Sequence, residues 1–340
     1  MRYAQGVIIG LLCWLAVPLP AAAQPTLEAV RARGSLRCGV VELGAGLAGQ
    51  ADNGRWMGFY PDFCRALAAA AIGNADNVVI VNVSLSNRFD ALLKGGVDAL
   101  MTGSTWTFGR DVDMRIAFPA LYLFDGQSFM AHVSENIRGI ADLKGKSVCV
   151  PKGTTTLPQV EELNKARNLN MTIQPYETIQ GSYSSFFSRQ CQAMVDDATG
   201  LSSNRALSVT DPAQYVILAE RTSKEPLAPA VRKDDPAWED VVRWVVYATI
   251  AAEELGISST NVDSMLASPD PAVRRFLGLE PGLGKGLGLD PRWAYRIVKA
   301  VGNYGEIFDR SLGAKSSLKL DRGLNKPWTQ GGLLWAPPFR

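Results

Sequence analysis

From residue 36 onward, short apolar runs alternate with polar, small-residue stretches. Leu36 to Val41, Val78 to Val83 and Val97 to Met101 are apolar and rich in β-branched residues, the pattern of buried strands. Asp62 to Ile72 is alanine-rich, and Arg88 to Lys94 has helical composition. This alternation predicts an α/β fold built on doubly wound, mostly parallel sheets. Phe129 to Val133 reads as an extended segment crossing into a second unit. That unit holds a helical turn over Ile137 to Leu143, a strand over Ser147 to Val150 and a glycine–hydroxyl loop, Gly153-Thr154-Thr155-Thr156. A helical stretch through Glu161 and Lys165 follows, then strands over Gln192 to Val195 and Tyr215 to Leu218. Leu227 to Arg232 is the second extended segment. Apolar residues recur at helical spacing over Trp238 to Leu255, Val262 to Met265 and Trp293 to Val301. The expected division is one lobe from 24–130 plus 230–340 and an inserted lobe from 131–229. A cleft between two such lobes is a natural ligand site, and hinge closure is the natural motion.

The first residues change the picture of where the chain works. Arg2 precedes an apolar run from Val7 to Val17, and Pro18-Leu19-Pro20 breaks it before Ala21-Ala22-Ala23. Residues 1–23 therefore read as a signal peptide cleaved after Ala23, leaving Gln24 first. The run is too short to span a bilayer comfortably, and no later stretch reaches roughly 18 apolar residues. Cys13 follows Leu12 rather than a small residue, which argues against a lipid anchor. Losing Arg2 takes the formal charge from +2 to +1. A near-neutral chain has no charge basis for binding nucleic acid or an anionic membrane. About 317 residues remain (340 minus 23), 47 % hydrophobic over the full chain, enough for two domains with full cores. Cys38, Cys64, Cys149 and Cys191 survive cleavage, and four cysteines allow three connectivities. Cys38–Cys64 with Cys149–Cys191 is favoured because each bridge stays within one lobe. With His132 the only histidine and no Cys-x-x-Cys pair, a metal site is not expected.

Three strand ends carry candidate chemistry, since ligands of open α/β sheets bind there. In Met101 to Asp111, small and hydroxyl residues Gly103, Ser104 and Thr105 lead to Arg110, whose planar guanidinium suits a carboxylate. A plain surface loop is the alternative. Gly153 to Thr156 is a strand-to-helix turn whose open N–H groups favour an anion, or simply a threonine-capped helix. Asp197 ends an apolar strand and suits an ammonium, with Asp196 expected in solvent or as a cap. Arginine and aspartate from opposite lobes would match a zwitterion.

At this point the chain resembles the family 3 periplasmic solute-binding proteins, and within them the general L-amino-acid binding proteins of ABC transporters. The similarity runs over essentially the whole mature chain. It is carried by Gly58-Phe59 with Asp62-Phe63-Cys64-Arg65-Ala66, Thr105-Trp106-Thr107 with Arg110-Asp111, and Ser147-Val148-Cys149-Val150 with the Gly153 turn. Ser223-Lys224-Glu225-Pro226-Leu227, Val301-Gly302-Asn303-Tyr304-Gly305-Glu306-Ile307-Phe308 and Gly331-Gly332-Leu333 with Ala336-Pro337-Pro338 complete it. The resemblance implies a two-lobed type II binding-protein fold with two hinge crossings. It implies that Arg110, with Thr105 and Gly103, holds the ligand α-carboxylate, that Thr154 and Thr155 add donors, and that Asp197 takes the α-ammonium. The family's paired cysteines agree with the favoured bridges. The chain departs from its relatives at Tyr60-Pro61, at the loop Val41 to Gly49, and at Gly103-Ser104, all where a ligand side chain would lie. Trp106 is expected in the core, with stacking on a ligand as the alternative, Glu42 in solvent rather than toward the cleft, and His132 in a structural role.

The expected function is delivery of a small L-amino acid to permease subunits at the inner membrane, by a monomeric periplasmic protein without catalysis or cofactor. A ligand-sensing subunit for a membrane receptor is one alternative. A cyclohexadienyl or arogenate dehydratase-like enzyme is another, with Glu42 or Asp197 as its general acid.

Overall fold

The apolar runs become the strands of two separate sheets. In the computed structural model, which describes residues 25–44, 46–208 and 210–340, Leu36–Val40 lies between Val78–Asn82 and Ala99–Leu100, all parallel. The expected signal peptide lies outside the described residues. Helix Phe59–Ile72 covers this sheet and starts three residues before the expected Asp62. Gly58 explains the earlier start: it enters the helix at φ 122°, and a Cβ there would lie 2.6 Å from the Leu47 carbonyl oxygen. Pro61 then sits in the first turn, where no N–H is required. The alanine run of this helix is buried and lets helix Trp293–Val301 approach closely.

The second sheet has five strands in the order Thr172–Tyr176, Ser147–Pro151, Ala193–Asp197, Gln127–His132, Tyr215–Ile217. The first three are parallel, and Gln127–His132 runs antiparallel to both its neighbours. The segment expected to cross at 129–133 is thus part of this sheet. Between the two sheets, Leu123–Asp125 pairs antiparallel with Glu225–Leu227 and makes the two-stranded hinge. Val231–Arg232 then pairs with Ile116–Ala117 beside the first sheet. The expected helix at 262–265 is a single 3-10 turn, Ser264–Ala267.

Each lobe has its own core. Phe63, Leu67, Val241, Val245, Ile297 and Phe308 fill the first, and Phe129, Leu143, Val148 and Val195 the second. Disulfides tie a strand to its neighbour in each lobe: Cys38 bonds Cys64 of the covering helix, and Cys149 bonds Cys191. Among the described residues, no helix is long and apolar enough to cross a membrane. The C-terminal segment folds back onto the hinge. The buried Asn325 side chain accepts from Phe124 N–H at 2.7 Å and donates to Phe124 O at 3.0 Å, while Tyr304 Oη donates to Tyr122 O.

A candidate ligand cleft

The two lobes meet over a small cavity of about 40 Å³. Gly103, Thr105 and Arg110 line it from the first lobe, and Thr154, Thr155 and Asp197 from the second, so every expected site residue reaches one space. Bonds across the cleft hold the lobes together: Arg88 donates to Gly153 O at 3.2 Å, and Gln180 and Asn204 donate to the carbonyls of Glu42 and Leu43. A wider groove of about 480 Å³ continues outward past Glu42 and Glu177, sharing Val41, Leu85 and Ile179 with the cavity.

Arg110 stands on the π-helical turn Gly109–Asp113. Its Nη1 donates to Thr105 O at 2.8 Å, and its guanidinium lies over the Phe89 ring at 5.0 Å. Burial pulls its pKa below the usual arginine value, against the fields of Glu225 and Asp197. Arg88 reaches the same cavity and was not foreseen. It is 2 % exposed, it donates to the carbonyls of Leu85 and Gly153, and burial, with Arg110 beside it, lowers its pKa to about 9. Among the described residues, no carboxylate forms an ion pair with either guanidinium, and Arg88 also donates to Ser104 Oγ at 3.4 Å. In sequence Arg88 reads only as the start of a helical stretch, yet it follows the end of strand Val78–Asn82 by a few residues. The strand-end rule that selected Arg110 would have selected it too.

The opposite pole is acidic. Asp197 ends its strand half-buried and lining the cavity. Burial raises its pKa well above the usual carboxylate range, and Asp125, Asp196 and Glu225 raise it further. Asp196, expected in solvent or as a cap, is buried instead. It accepts from Tyr183 Oη at 2.8 Å, and burial pushes its pKa up to about 6. Asp125, in the hinge strand, accepts from Thr199 N and Oγ1 at the start of helix Ala198–Ser208.

The threonine hydroxyls are already engaged within the protein. Thr154 Oγ1 donates to Pro151 O at 3.0 Å and accepts from Thr156 N, shaping the turn. Thr105 and Thr155 both donate to Glu225, which the sequence pattern had not singled out as a site residue. The Gly153 turn lines the cavity through Thr154, Thr155 and Thr156, at a helix start where backbone N–H groups lack intrahelical partners. Tyr60 lines the cavity beside Gly103, where an added Cβ would lie 3.2 Å from its hydroxyl oxygen. Tyr60 thus occupies room that a side chain at 103 would need. Trp106 is neither core nor ligand wall: it is 43 % exposed and donates from Nε1 to Asp111. Glu42 is exposed, and His132 bonds Ser134 and Gln214 away from the cleft.

A cleft with an open cation on one lobe and an open carboxylate on the other is a zwitterion site in form. The sequence profile of the bacterial extracellular solute-binding proteins, family 3, matches residues 36–257. The chain belongs to this family. It is 42 % identical to the glutamate/glutamine/aspartate/asparagine-binding protein BztA of Rhodobacter capsulatus, over 99 % of each chain. It is 41 % identical to the general L-amino acid-binding periplasmic protein AapJ of Rhizobium johnstonii, over 96 % of each. Among solved structures, a periplasmic binding protein from Brucella ovis with glutathione bound shares 40 % identity and superposes with a TM-score of 0.91, over 93 % of this chain and 100 % of that one. An ancestral amino-acid-binding protein, a precursor of cyclohexadienyl dehydratase, shares 26 % identity at a TM-score of 0.57, over 68 % of this chain and 95 % of that one. The family carries the type II binding-protein fold expected for this chain.

Proposed function

We propose that this protein is the periplasmic substrate-binding component of an amino-acid ABC transporter, closing its lobes on one L-amino acid and presenting it to membrane permease subunits. The observation that carries this is a single cavity lined by Arg110 from one lobe and Asp197 from the other. Arg110 takes the ligand α-carboxylate, helped by backbone N–H groups of Gly103, Thr105 and the Thr154–Thr155 turn. Asp197 takes the α-ammonium. The uncompensated Arg88 favours a carboxylate or carboxamide side chain, in keeping with the acids and amides in the name of the BztA relative.

The lobes divide at the paired strands Leu123–Asp125 and Glu225–Leu227 rather than within strand Gln127–His132. The mature protein begins after Ala23 and acts as a periplasmic monomer without cofactor. Calorimetric titration with the twenty amino acids checks the assignment, and absence of binding by any of them refutes it. A second reading is a dehydratase on the same fold, with Asp197, which lines the cavity, as its general acid. Release of phenylpyruvate from prephenate by the purified protein is its test, and no turnover removes it.

A further inference from the structure

Glu225 sits behind the cavity, 1 % exposed, on the hinge strand Glu225–Leu227. Its Oε2 accepts from Thr105 Oγ1 at 2.5 Å and from Thr155 Oγ1 at 3.3 Å. Its Oε1 accepts from Ser223 Oγ at 2.6 Å and Gln127 Nε2 at 3.1 Å. Among the described residues it forms no ion pair, so these four donors are what hold a sealed carboxylate. Thr105 belongs to the first lobe and Thr155 to the second, and both line the cavity.

A carboxylate only accepts, so each threonine spends its single hydroxyl hydrogen on Glu225. The two oxygens are left with lone pairs alone for the cavity. A ligand carboxylate placed against them would meet acceptors. If it instead drew the hydrogens over, Glu225 would lose two of its four donors while buried, a heavy penalty for a charged group. We propose that Glu225 is a positioning residue that turns the Thr105 and Thr155 hydroxyls into acceptors for the ligand's ammonium. This rests on the amino-acid assignment of the cleft. An α-ammonium has three N–H donors, and Asp197, Thr105 and Thr155 then provide three acceptors, leaving the carboxylate to Arg110 and backbone N–H groups. Because one Glu225 oxygen is shared by threonines of both lobes, the acceptor pair is complete only when the lobes are closed. The ammonium is therefore read at closure, whereas Arg110 can hold the carboxylate in the open form.

The test compares the tightest-binding of the twenty amino acids with its des-amino acid (glutarate for glutamate) in wild type and in Glu225→Gln. A glutamine donates to one threonine oxygen and sends that hydroxyl hydrogen into the cavity. The expected result is at least a tenfold loss of amino-acid affinity, with the des-amino acid unchanged or bound more tightly. Equal losses for both ligands, as from a merely structural role, overturn the proposal. Should Glu225→Gln fail to fold, Thr155→Val decides: it removes one acceptor, and an unchanged ratio of the two affinities overturns the proposal equally. If wild type binds no α-amino acid, the cleft assignment itself fails and this inference falls with it.

Discussion

Replacing Asp197 by asparagine should move binding and stability in opposite directions. The side chain keeps its shape and loses its charge. In the complex, a charge-assisted hydrogen bond to the ammonium becomes a neutral one, a loss of about 1.5–3 kcal/mol, which is roughly 10- to 150-fold in Kd. In the ligand-free protein the same charge is a burden. Burial holds the Asp197 carboxyl above its ordinary pKa, and Asp125, Asp196 and Glu225 hold it higher, with only Arg110 pulling it down. A folded-state pKa above the unfolded one means the folded protein keeps a proton that the unfolded chain has released. Stability is then greatest below the unfolded value, about 3.9, and is lost as pH rises toward the folded value. Asparagine carries no such penalty, so at pH 7 the ligand-free variant should melt above wild type, and its stability should change less between pH 4 and 7. Calorimetric titration and ligand-free thermal melts, run on the same preparations, check both halves. A variant that binds within about threefold of wild type, or that melts well below it without ligand, would show that Asp197 is a structural carboxylate.

Arg110→Ala should weaken binding by about 2–5 kcal/mol, because it leaves a desolvated ligand carboxylate unpaired. A loss under tenfold, roughly 1.4 kcal/mol, contradicts the clamp. Affinity should fall on acidification, since an Asp197 carboxyl with a raised pKa must give up its proton to accept an ammonium. Titrations between pH 4.5 and 8 check this, and tighter binding at low pH contradicts it. Replacing Cys149 and Cys191 together by alanine removes a link across 42 residues, worth about 4 kcal/mol by loop entropy. Denaturant unfolding should shift accordingly, and an unchanged midpoint would mean the bridge constrains nothing.

The strands and helices were legible because each lobe buries one face of a sheet, and that burial writes apolar runs directly into the chain. Helix boundaries were less so. The start of Phe59–Ile72 depends on Gly58 fitting against Leu47, a contact between residues apart in the chain. The crossing was misplaced for a related reason: Gln127–His132 is apolar and extended whether it crosses between lobes or lies inside a sheet. Arg110, the Gly153 turn and Asp197 were singled out because their chemistry is local to strand ends, and Arg110, Thr154, Thr155 and Asp197 line one cavity. Glu225 was not, because its meaning comes from Thr105 and Thr155, 120 and 70 residues away. No spacing along the chain announces that meeting.

Asn325 lies beyond the stretch matched by the family profile, which ends at residue 257, and it holds both polar groups of Phe124. The hinge strand Leu123–Asp125 thus has Glu225–Leu227 on one edge and a side-chain amide on the other. Its next residue, Asp125, grips the helix that follows Asp197. Bending at this point deforms a supported spring rather than a bare pair of strands. Sequence change in the last twenty residues can therefore retune how readily the cleft shuts, and with it apparent affinity, without altering a single atom that a ligand touches.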